Sequence, residues 1–157
     1  MDRTELYLKT AFCCMACDGT IAPEELAVIS QMPAFKDIDM KQQLNELVEK
    51  LKAEGTRFLQ HYLSEVKNAS LTEEEECKLA SVAIQTIEAD QSVEYNEVAF
   101  FKKIRRQLNV SNGKLIAIIP EDTIMPDKED YLLPDISEED DLSLWNNTFS
   151  ELSILNT

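Results

Sequence analysis

Along the first 119 positions the apolar residues recur at helical intervals. Leu8, Ala11, Phe12 and Met15 step by +3, +1, +3, and Met40, Leu44, Leu47, Val48 and Leu51 by +4, +3, +1, +3. Leu59, Tyr62, Leu63 and Val66 repeat the pattern. Local signals punctuate it. Asp2 with Glu5 opens a first helix that runs to about Cys17, and Pro23 starts a second that Pro33 stops. Asp39 caps a third helix, which Gly55 ends before the fourth begins. Thr72 and Glu75 form a capping box at the head of a long fifth helix, and a sixth is predicted from about Glu94 to Leu108. Leu115 to Ile119 is a short apolar run that closes this body.

Part of the pattern is written twice. Asp18-Gly19-Thr20-Ile21-Ala22-Pro23-Glu24-Glu25 and Asp90-Gln91-Ser92-Val93-Glu94-Tyr95-Asn96-Glu97 start and end at the same displacement, 90 − 18 = 97 − 25 = 72. The apolar positions on either side follow it: Leu8, Ala11, Phe12 and Met15 map onto Ala80, Ala83, Ile84 and Ile87, and Leu26, Ile29 and Met32 onto Val98, Phe101 and Ile104. Each copy is therefore expected to be a helix, a tight Asp-to-Glu loop and a second helix. The predicted fold is all-α, a bundle of two pseudo-repeated helical hairpins over residues 1–119, followed by an acidic linker and an amphipathic C-terminal helix over 120–157.

The first loop has the spacing of the second half of a calcium-binding EF-hand loop, with Asp18, Gly19, Ile21 and Glu25 at its positions 5, 6, 8 and 12. The first half is absent. Cys14 and Ala16 stand where the leading carboxylates belong in one copy, Thr86 and Glu88 in the other, and Gln91 replaces the turn glycine. Two readings of the loops stand. In one they only reverse the chain: Gly19 takes a positive φ, Ile21 plugs the core and Glu25 closes back on the backbone. In the other the two hairpins meet, and four converging carboxylates, Asp18, Glu25, Asp90 and Glu97, hold a divalent cation that relieves their repulsion.

Charge divides the chain in two. Of 30 acidic and 15 basic residues, eleven acids and one base lie from Glu121 onward, so a net −10 of the −15 sits in the tail. Such an excess repels nucleic acid and anionic membrane and favours a protein partner. Near the tail's end Leu142, Trp145, Phe149 and Leu152 step by +3, +4, +3, which predicts an amphipathic helix that either docks on its own body or enters a groove on a partner. Lys102, Lys103, Arg105 and Arg106 form a basic cluster on the sixth helix. It reads as a solvated face, an anion or partner site, or the seat of the chain's own acidic tail.

No apolar run approaches the ~20 residues of a membrane span, and Met-Asp-Arg-Thr-Glu lacks the layout of a signal peptide. A cytoplasmic protein with reduced thiols is expected. Cys14 and Cys17 share a helix face, but a zinc site would need Cys77 and His61, which have no paired spacing, so buried small thiols are the simpler reading. His61 is read as a surface residue.

Ala16-Cys17-Asp18-Gly19-Thr20-Ile21-Ala22-Pro23-Glu24-Glu25-Leu26, with its degenerate twin at 88–98, resembles the TerB family of tellurite-resistance proteins and the related N-terminal domain of DjlA-type co-chaperones. The resemblance covers residues 1 to about 119. It implies an all-α bundle of paired hairpins without catalytic chemistry, in a bacterial chemical-stress or phage-defence system, with cation ligands at Asp18, Glu25, Asp90 and Glu97. Gln91 and the acidic tail depart from the pattern. The alternative is a protein-interaction adaptor whose Trp145 segment engages a partner through residues such as Trp145 and Phe149, with no metal site. A metal-dependent phosphoesterase is disfavoured, because no nucleophile, base or anchoring arginine accompanies the loops.

Overall fold

A computed structural model describes residues 3–17, 19–36, 38–89, 95–119, 121, 123, 128–132, 142, 145, 148 and 149. Among them seven α-helices account for the body: α1 (Arg3–Ala16), α2 (Pro23–Ser30), α3 (Met40–Glu54), α4 (Thr56–Asn68), α5 (Glu73–Ile87), α6 (Tyr95–Arg106) and α7 (Asn112–Ile118). Short 3-10 turns lie at Pro33–Phe35 and Lys128–Tyr131. The expected all-α class is what the described residues form. None of their helices is long and apolar enough to cross a membrane.

The local punctuation works as read. Asp39 accepts a hydrogen bond from Gln42 N at 3.2 Å, and Gly55, at φ +62°, ends α3 with its N–H on Leu51 O. Thr72 and Glu75 close their reciprocal box at 3.1 and 2.9 Å. Two details differ from the expectation. The sixth helix stops at Arg106, where Gln107 and Leu108 continue in i→i−3 turns, and the apolar run at 115–119 belongs to a helix begun by Ser111, whose hydroxyl accepts from Lys114 N.

α1 and α5 form the centre and pack most extensively on each other. From Thr10 to Cys17 every α1 side chain and the first residue beyond it is buried, the signature of a helix surrounded on all sides. Around this pair, α2 lies on α5, α6 lies on both α1 and α5, and the α3–α4 pair closes against α1. Polar residues inside are spent on specific bonds. The Thr10 hydroxyl bonds Leu6 O and Tyr62 OH, Lys9 pairs with Glu65, and Arg3 ties the start of α1 to Glu75 and to Ala69 O. Buried Glu76 accepts Asn109 N and Val110 N, each at 2.8 Å, and so anchors the α6–α7 connection.

Candidate functional site

The first loop leaves α1 through Gly19, whose N–H donates to Ala16 O at 2.9 Å and whose φ is +91°. A Cβ is disfavoured at that dihedral, which accounts for glycine here. Ile21 follows, fully buried and in a single β-bridge. Ala22 N–H then donates to Glu25 Oε1 at 2.9 Å, so Glu25 closes the loop on its own backbone from the third position of α2. Glu97 holds the same third position in α6. Both carboxylates are 2% exposed, low for a carboxylate.

Asp18, Asp90 and residues 91–94 lie outside the described residues, so the structure places two of the four expected cation ligands. Both bear electrostatically on one thiol. Burial pushes the Cys14 thiol well above its ordinary pKa, Cys13 adds to the shift, and the charges of Glu97 and Glu25 both reinforce it. Cys14 thus lies within the electrostatic reach of the closing glutamate of each loop. Among the described residues there is no group of three or more His, Cys, Asp and Glu side chains arranged to hold a metal ion. Cys13, Cys14 and Cys17 are buried thiols outside any disulfide, and His61 is exposed on α4 beside Glu54.

Within electrostatic reach of Glu97 sits a cluster the sequence did not point to. Glu88, just past the end of α5, accepts hydrogen bonds from Thr123 Oγ1 and from Tyr131 OH. Burial chiefly, and then the Glu88 carboxylate, push the Tyr131 phenol far up, and Glu97 adds a smaller contribution. Tyr131 stacks edge-on against Phe101 of α6, with ring centroids 5.5 Å apart. An aromatic residue between Pro126 and Pro134 in an acidic stretch was the only signal in the chain, and nothing in its spacing named Glu88 as partner.

The basic cluster on α6 is not a uniform solvated face. Lys103 is buried, and Arg105 spends its guanidinium on Leu108 O, Val110 O and Asn112 Oδ1, bracing the turn into α7. Lys102 is half-buried and Arg106 exposed. Four closely spaced bases on a 12-residue helix that contacts α1, α4 and α5 cannot all face water.

Leu142, Trp145 and Phe149 are buried in the same core as the body, and Trp145 meets Phe100 edge-on at 5.6 Å. Leu152 lies outside the described residues. The predicted amphipathic α-helix is not what the described residues build. Trp145 N donates to Leu142 O and Thr148 N to Trp145 O, both i→i−3 bonds of 3.0 and 3.1 Å, and only Trp145 among them is in a 3-10 conformation. Thr148 is a weak helix former, and Trp145 and Phe149 both reach the same core.

Compared with protein-family models, with curated proteins and with solved structures, the chain has no match.

Proposed function

We propose that this chain is a non-enzymatic, TerB-like bundle whose two Asp-to-Glu loops take up one divalent cation between them, serving a bacterial chemical-stress or phage-defence system in the cytoplasm through a protein partner. The observation that carries the proposal is that Glu25 and Glu97, 72 residues apart, hold the same position in their helices, are both buried, and both bear electrostatically on Cys14. The packing supports the pseudo-twofold that a shared site needs. α1 and α5, the first helices of the two copies, lie against each other; α2 packs on α5, and α6 packs on both α5 and α1. On this reading the two loops share one end of the bundle. A divalent cation beside these two buried carboxylates would favour their charged forms. Asp18 and Asp90 are the ligands assigned to complete the set, as hard oxygen donors for calcium or magnesium.

Thermal unfolding of the full chain with and without each divalent ion tests this. A ligand that binds only the native state raises the melting temperature in proportion to the logarithm of its concentration. The rise is expected in the wild type and lost in Asp18→Asn with Asp90→Asn. No heat in calorimetric titration and no thermal shift at millimolar ion would overturn it.

A further inference from the structure

We infer that Thr123, Tyr131, Trp145 and Thr148 of the C-terminal segment act as a strap that ties the first loop to the end of α5 and to α6, and that its undocking, with Trp145 leaving its seat, is the step that exposes these flanks of the two loops. Five contacts, made by four tail residues, carry this inference. Thr123 and Tyr131 hydrogen-bond to Glu88, the residue that leads from α5 toward the second loop. Tyr131 and Trp145 cap the adjacent rings Phe101 and Phe100 of α6, the helix that begins where the second loop ends. Thr148 then reaches the first loop: a Cβ on Gly19 would stand 3.6 Å from Thr148 O and 3.7 Å from its methyl group. Tail residues therefore touch the first loop, the end of α5 that leads to the second, and α6.

The same seat contains a built-in weakness. Trp145 Nε1 is buried and has no hydrogen-bond partner, whereas the other buried side-chain polar atoms of the described residues are bonded. An unmet indole N–H regains water when the ring leaves, so the docked state is less stable than the burial of its rings alone would make it. Its Trp145 and Thr148 amides are held by i→i−3 turns, and the chain from Glu121 onward carries most of the net negative charge. It is thus the part of this core best suited to open below the free energy of global unfolding. These contacts hold the strap in place whether or not a cation sits at the loops.

Native-state hydrogen exchange on the wild-type full chain decides it. The amides of Trp145 and Thr148 are expected to exchange together with those of Ile21, Ala22, Glu97 and Val98, through one opening reached well before the α1 and α5 core exchanges. In Trp145→Ala the exchange of those loop amides should rise by about tenfold or more, the scale of one lost aromatic anchor, while α3 and α4 stay unchanged. Cys14 and Cys17 should become measurably more reactive to a thiol reagent in the same variant. If the tail opens while loop protection is unaffected, or if tail and loops exchange only by global unfolding, the strap is wrong. That wild-type measurement decides even if the variant fails to fold. Absence of any cation effect would overturn the proposed function and leave the joint opening intact.

Discussion

The chain contains three glycines, and substituting each by alanine should give a signed pattern that only this backbone produces. Gly19 is at φ +91°, where an L-residue costs roughly 1–2 kcal/mol. The new Cβ would meet Thr148 at 3.6 and 3.7 Å, ordinary van der Waals separations, so no steric term adds to the dihedral one. Alanine also removes freedom from the unfolded chain, which returns roughly 0.4–1 kcal/mol. The net is a loss of about 1 kcal/mol, or about 2–4 °C in melting temperature for a chain of this size. Gly19→Val, β-branched, should lose about 2 kcal/mol. Gly55, at φ +62° and ψ −138°, lies in a region essentially reserved for glycine, and a Cβ added there would meet nothing within 4 Å, so Gly55→Ala should lose about 1–3 kcal/mol by conformation alone. Gly113 lies inside α7 with open space around it, and Gly113→Ala should gain about 0.5–1 kcal/mol from helix propensity. Urea unfolding of the three variants reads all three signs. A neutral or stabilising Gly19→Ala would refute the left-handed turn and with it the loop.

Two further outcomes follow from buried groups. Glu76→Ala removes the acceptor shared by Asn109 N and Val110 N and should cost about 2–3 kcal/mol, with Glu76→Gln, which keeps an oxygen, costing about half of that; equal losses in chemical denaturation would show that the carboxylate is not the anchor. Burial raises the pKa of Cys13, Cys14, Tyr62 and Tyr131, so the folded state holds protons that the unfolded chain releases above roughly pH 8.5–10; stability should be complete below that range and fall as pH rises through it, by up to about 1.4 kcal/mol per pH unit for each group, and a flat urea midpoint between about pH 8 and 11 would contradict their burial.

What the sequence determined by itself is what acts within one turn of chain. The helical spans, the Thr72–Glu75 box, the Asp39 cap, the Gly55 terminus, the positive φ of Gly19 and the closure of Glu25 on Ala22 each involve residues at most four apart, so their partners are visible in the pattern. The tertiary structure decided whatever depends on distant partners. Glu76 finds its donors 33 and 34 residues away, and Glu88 meets Thr123 and Tyr131 at separations of 35 and 43, so no spacing rule distinguishes these acids from the solvated ones beside them. The basic run on α6 and the Leu142–Phe149 pattern show the same limit from the other side. A charge run reads as a face and a +3, +4 step reads as a helix, but whether a lysine is buried, an arginine braces a turn or a tryptophan leaves the helical path is set by the shape of the surface it meets. That surface exists only once α1, α5 and α6 have packed, because burial is a property of the assembled core and not of any one segment.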